Sequence, residues 1–122
     1  MRECTDFINL LVITSSRLQA SYQEVLDDWQ PEEPPVTTLF AALGDRIAED
    51  FSSVDIDVNR RIFSLIEKAM ESDNQELVSA VATGLIEALA TQIARQENLW
   101  ERVSPFLGPR SRLHAEAWLA PL

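Results

Sequence analysis

Histidine, cysteine and glycine are scarce in this chain: one His, one Cys and three Gly among 122 residues. A lone Cys4 cannot form an internal disulfide, so nothing in the sequence asks for an oxidising compartment. One Cys and one His also fall short of a four-ligand zinc site. Gly44, Gly84 and Gly108 lie too far apart for a phosphate-cradling loop, which needs clustered glycines so that backbone N–H groups can close on the anion. No metal, nucleotide or other cofactor is therefore expected. Long apolar runs are lacking as well. The longest uncharged stretch, Pro34 to Gly44, has eleven residues and contains two Pro and two Thr, against the roughly 20 apolar residues of a membrane span. Glu3 and Asp6 interrupt what would otherwise be the basic and apolar parts of a secretion signal. A cytoplasmic protein with no membrane partner is the expectation.

What is present is globular composition, with 46% apolar and 25% charged residues, enough for one domain over residues 1–122 to fold around its own core. Apolar residues recur at three- and four-residue steps almost throughout, and no segment combines alternation with β-branched enrichment and turn dipeptides. The fold class read from this is all-α, a compact bundle of about six or seven helices. A first helix is expected over Thr5–Ile13 with Phe7, Leu10, Leu11 and Ile13 inward. A second, capped by Ser15 or Ser16, carries Leu18, Tyr22, Val25, Leu26 and Trp29. Pro31, Pro34 and Pro35 then make a rigid acidic connection that cannot be helix interior. Thr37 or Thr38 opens a third helix with the stripe Leu39, Phe40, Leu43, Ile47 and Phe51, from which Asp45, Glu49 and Asp50 face away. Asp55 caps a fourth helix, to about Glu71, and Asp73 a fifth that reaches Arg95, where Ala80, Thr83, Gly84, Ala90 and Ala94 allow another backbone close. A short helix around Leu99–Leu107 meets Pro105, and Gly108-Pro109 starts the last, carrying Leu113, Ala117 and Trp118.

The net charge of −10 is unevenly placed. Between Glu24 and Asp57 there are ten acidic residues and one basic one, Arg46, so that segment carries 1 − 10 = −9. Such a surface repels nucleic-acid phosphates and anionic headgroups and attracts basic proteins. Nucleic acid is not an expected partner. Asp27, Asp28, Glu32, Glu33, Asp50, Asp55 and Asp57 are the expected partner-binding carboxylates. Trp29, beside Asp27 and Asp28 and just before the proline-rich connection, is the candidate aromatic anchor. The bland alternative is an acidic face that serves solubility alone.

Other groupings fail as catalytic sites. Glu67 and Glu87 border apolar stripes in the echo Leu65-Ile66-Glu67 and Leu85-Ile86-Glu87, which is also what stacked antiparallel helices of a helical repeat would show. A di-metal bundle would need Glu-x-x-His pairs, and His114 has no such partner. The two carboxylates are expected to be structural, paired with Arg46, Arg60 or Arg61 or satisfying exposed backbone at a helix junction. Ser104, His114 and Glu116 have the residue types of a nucleophilic triad but neither a nucleophile elbow nor an oxyanion loop. His114 is expected to pack on Trp118. Cys4, beside Glu3 and Asp6, has no cause for a lowered thiol pKa. No catalytic residues are assigned, and the chain does not read as an enzyme.

From Arg61 onward the residues Arg61-Ile62-Phe63, Leu65-Ile66-Glu67, Asp73-Asn74-Gln75-Glu76, Val81-Ala82-Thr83-Gly84-Leu85-Ile86-Glu87-Ala88-Leu89 and Phe106-Leu107-Gly108-Pro109-Arg110-Ser111 follow one another in an order that resembles a family of small all-helical bacterial immunity-type proteins of uncharacterised domain, associated with contact-dependent growth inhibition and polymorphic toxin systems. The resemblance covers about half of the chain. It implies an immunity protein, an antitoxin that binds a cognate protein toxin in the cytoplasm and blocks it. A basic nuclease toxin would suit the charge. The rival expectation is a small helical-repeat-like scaffold or regulatory adaptor with a basic protein partner.

Overall fold

A computed structural model describes residues 2–120, and every ordered element in it is helical. The helices are α1 (Arg2–Thr14), α2 (Ser16–Trp29), α3 (Val36–Asp50), α4 (Ile56–Met70), α5 (Gln75–Ala94), α6 (Leu99–Val103), which runs into a 3-10 turn at Ser104–Phe106, and α7 (Pro109–Leu119). The all-α expectation holds, and no strand occurs among the described residues.

Local chemistry explains most boundaries. The Ser15 hydroxyl accepts from the Leu18 amide at 3.4 Å and opens α2, and Asp55 accepts from the Asp57 amide at 2.8 Å to open α4. Three starts differ from the sequence reading: α1 begins at Arg2, one turn ahead of the expected Thr5. α3 begins at Val36 behind Pro35, with no side-chain cap, so Thr37 and Thr38 lie inside the helix. α5 is capped by Asn74, whose side-chain oxygen accepts from the Leu77 amide at 2.9 Å, rather than by Asp73. Ser72 fixes that cap by accepting from the Asn74 amide.

α5 is the centre of the bundle. It packs on α3 over most of its length, and α4 and α7 cover other sides. Its stripe Leu77, Val81, Leu85, Leu89 and Ile93 is buried throughout, as are Ala80 and Ala90. Length and composition would let Gln75–Ala94 cross a membrane, and its apolar character has a local reason, since over half of its most apolar stretch is buried by neighbouring helices. Residues Ala80–Ile86 form a π-helical turn in which the Thr83 hydroxyl donates to the Ser79 carbonyl at 2.7 Å.

That widened turn lies where α3 crosses. A Cβ at Gly44 would run into the carbonyl oxygen of Leu85, and one at Gly84 would stand 2.8 Å from the Phe40 Cβ. The two glycines thus let the two backbones touch. Around this crossing the core closes with Phe7 against Phe40, ring centroids 5.6 Å apart, and a separate cluster in which Phe51, Phe63 and Phe106 meet at 5.2–6.2 Å.

The phase of α1 and α7 differs from expectation. Cys4, Phe7, Ile8 and Leu11 form the buried stripe of α1, while Leu10 and Ile13 stand outside it and are exposed. In α7 the inward positions are Ser111 and Ala115, Leu113 and Ala117 face outward, and Trp118 lies half-exposed at the edge with its indole N–H turned to Thr91 of α5.

Gly44→Ala tests the crossing. Alanine is the better helix former by about 1 kcal/mol, yet overpacking against a backbone carbonyl costs about 1–3 kcal/mol. Net destabilisation is therefore expected as a lowered midpoint in urea. An unchanged or raised midpoint would contradict the backbone contact.

Candidate partner-binding surface

Helix spacing puts Tyr22, Leu26 and Trp29 on one side of α2, at steps of four and three. The first two are half-buried, and Trp29, at the last turn, is exposed. Beyond it the chain carries Glu32 and Glu33, both exposed, into Pro34 and Pro35. Asp27 accepts from the neutral Gln23 amide at 3.0 Å. Among the described residues the side-chain carboxylates of Glu24, Asp28, Glu32 and Glu33 have neither ion pair nor hydrogen-bonded partner, so their charge is uncompensated.

The structure divides the acidic segment in two. α2 and α3 pack as neighbours, and Arg17, at the start of α2, reaches Asp50, at the end of α3, so the pair is antiparallel. α3 has 15 residues, about 22 Å at 1.5 Å per residue. Asp27, Asp28, Trp29, Glu32 and Glu33 therefore gather at one end, and Asp55 and Asp57 belong to the other. The two distal residues are also engaged: Asp55 caps α4, and Asp57 pairs with Arg60 at 3.4 Å.

Asp50 requires a correction. Expected on the outer face, it is buried at 9% exposure and contacts Arg17 at 3.2 Å and Arg46 at 3.6 Å through one oxygen, the other having no partner among the described residues. The reason is periodicity: Leu43, Ile47 and Asp50 follow at steps of four and three, so the carboxylate falls on the buried stripe. A negative charge at a helix C-terminus is also unfavourable unless cations answer it. Asp50 is a structural ion-pair residue and no part of an exposed acidic face.

Glu67 and Glu87, from different helices, hold the same third helix. Glu67 accepts from the Arg110 amide at 3.0 Å, the Ser111 amide at 2.9 Å and the Ser111 hydroxyl at 2.8 Å, so a side chain of α4 caps the N-terminus of α7. Gly108 makes room for it, because a Cβ there would collide with the Glu67 side chain. Glu87 meets His114 Nε2 at 2.9 Å, and one turn on, the Trp118 indole donates to the Thr91 hydroxyl at 3.0 Å. The expectation of backbone satisfied at a helix junction holds for Glu67. For Glu87 the partner is His114, and none of Arg46, Arg60 or Arg61 pairs with either carboxylate. His114 faces Glu87 through its Nε2 because α7 turns its 111, 114 and 118 positions toward α4 and α5.

Among the described residues no three His, Cys, Asp or Glu side chains gather to hold a metal ion. Ser104 is buried in the 3-10 turn. Burial pushes the Cys4 thiol up, with Glu76 adding to the rise, which opposes thiolate formation. Sequence reasoning missed a concavity of about 510 Å3 between α4 and the 3-10 turn, bordered by Ile56, Arg60, Ser64 and Phe106. It is built from positions some fifty residues apart and has no local signal.

The chain belongs to the DUF7674 family, a domain of unknown function, whose pattern it matches over residues 8–120. No characterised protein and no solved structure matches it.

The geometry ranks the two carboxylates. Glu67→Ala strands donors at the buried Ser111 and should cost about 1–3 kcal/mol in urea melts, with faster exchange of the Arg110 and Ser111 amides. Glu87→Ala removes one half-exposed contact and should cost less, nearer 1 kcal/mol. The reverse order would contradict the cap.

Proposed function

We propose that this member of the DUF7674 family is an immunity-type inhibitor, a non-enzymatic cytoplasmic protein that binds a basic toxin domain through the acidic end of the α2–α3 pair. The observation that carries the reading is the cluster of Asp28, Glu32 and Glu33, all exposed and without ion pairs, around the exposed Trp29. Other acidic residues of the segment have partners: Asp45 with Gln92, Glu49 and Asp50 with Arg46, Asp57 with Arg60. Carboxylates left uncompensated at one end supply a field that steers a cationic partner and a rim that complements it. Trp29 supplies the apolar area on which such interfaces depend.

The resemblance to immunity-type proteins supports this reading through the scaffold. Its densest run, Val81 to Leu89, is the centre of α5, with Gly84 at the α3 crossing and Glu87 on His114. Those residues build the bundle, while the surface offered to a partner lies outside them. A toxin target is consistent with such a division, in which one scaffold presents different surfaces.

Co-expression with the protein encoded beside it tests the function. Growth arrest by that protein and rescue by this one are the expected results, and a neighbour without toxicity would favour the adaptor reading. With the partner in hand, neutralising Asp27, Asp28, Glu32 and Glu33 together should slow association most at low salt, because steering is screened over about 10 Å at 0.1 M ionic strength. Trp29→Ala should quicken dissociation, with a loss of about 2 kcal/mol or more. Neutralising Asp55 and Asp57 should leave both rates nearly unchanged. Association indifferent to salt and to the four substitutions would place the interface elsewhere.

A further inference from the structure

Beside the acidic connection, α1, α2 and the start of α3 enclose a cleft of about 310 Å3, walled by Cys4, Ile8, Tyr22, Leu26 and Leu39 with Glu33 at its edge. We propose that this cleft seats a single arginine or lysine side chain of the partner, its methylene stem against the apolar wall and its charged head on Glu33. The inference rests on the binding surface assigned above and names the chemistry that surface recognises.

Size suits this cleft to one side chain, and its negative charge, carried by Glu33 alone, separates it from the others. Its size lies at the bottom of the range of small-ligand sites, about 300–1,000 Å3, and suits one side chain better than a cofactor. Its charge is of one sign: Glu33 is the only Asp, Glu, Lys or Arg in its lining, whereas the cleft between α1 and α4 includes Lys68 with Glu3 and Asp6, and that beside Phe106 includes Arg60. Glu33 has no partner of its own among the described residues, so a cation entering here displaces none. Long cationic side chains combine an apolar stem with a charged tip, and the cleft presents the complementary pair: buried Ile8 and Leu39 inside, an exposed carboxylate at the mouth. Tyr22 adds an aromatic ring, a favourable neighbour for a guanidinium. Tyr22 and Leu26 share the α2 face that ends in Trp29, so a partner seated on Trp29 would have a basic side chain within reach of the cleft.

The test needs no toxin. A short capped peptide containing one arginine in a glycine context is titrated, to roughly 10 mM for a contact of this kind, into the isotope-labelled full chain, and amide shifts are mapped by NMR. The same peptide with citrulline, the neutral isostere, is the control. Saturable shifts at Ile8, Leu26 and Val36 with arginine, at least several-fold weaker with citrulline, are expected. Glu33→Gln should weaken the arginine response roughly five-fold, and Leu26→Trp, which fills the cleft, should abolish it with helicity retained. Equal responses to both peptides, shifts confined to the Arg60 and Phe106 region, no response at all, or indifference to Glu33→Gln would each overturn the proposal. An arginine response without any basic macromolecular partner would keep the cleft and overturn the inhibitor reading; salt-steered association that ignores Leu26→Trp would do the opposite.

Discussion

The backbone contact between α3 and α5 is the constraint on which the rest of the molecule depends. Gly44 admits the Leu85 carbonyl and Gly84 admits Phe40, so two helices approach closer than any pair bearing side chains at those positions could. With α5 covered by α3, α4 and α7, α3 has one position across it, and α2, packed antiparallel to α3, follows. The proline-rich connection then falls at one end of the bundle and the α3–α4 connection at the other. The division of the acidic segment into a free cluster and an engaged one is thus a consequence of helix length and direction, set by a contact in the core.

Polar side chains inside this frame serve the frame itself. Glu67 replaces the missing cap of α7, Glu87 and Thr91 fix the same helix along its length, and Asn59 donates to the Phe51 carbonyl at 2.9 Å beneath the α3–α4 turn. Asp50 draws Arg17 and Arg46 toward the same region. Such groups are costly if stranded, and each has a neighbour that answers it, Asp50 through one of its two oxygens only. The uncompensated carboxylates lie elsewhere, around Trp29 and the cleft walled by Tyr22 and Leu26. That contrast between engaged and free carboxylates is what the proposed partner surface rests on.

Much of this was legible in the sequence. Periodicity located the helices, and the proline cluster marked the connection because proline cannot sit in helix interior. The small residues of α5 announced a close approach, and Gly84 is where it occurs. The paired Leu-Ile-Glu echo pointed to two structural carboxylates, and both grip α7. What failed were matters that local pattern does not determine. Asp50 reads as outward when charge is weighed and as inward when spacing is, and spacing prevailed because Arg17, thirty-three positions earlier, could answer it. Leu10, Ile13 and Leu113 read as core by residue type, yet helix phase, fixed by Cys4 and Phe7 in α1 and by Ser111 and Ala115 in α7, turned them outward. The pairing of Glu87 with His114 and the cleft beside Glu33 join residues from separate helices, which only the packing brings together.

The docking of a cationic protein at the Trp29 end of the bundle, as proposed, can be read by photo-crosslinking in the native cell, with a photoreactive residue at position 30, beside the retained Trp29, or at 57 or 113, and the adducts identified by mass. An adduct at 30 with a protein of net positive charge, reduced when Glu32 and Glu33 are neutralised, and none at 57 is the expected result. An adduct formed at 57 or 113 but absent at 30, or one with an acidic partner, would contradict it.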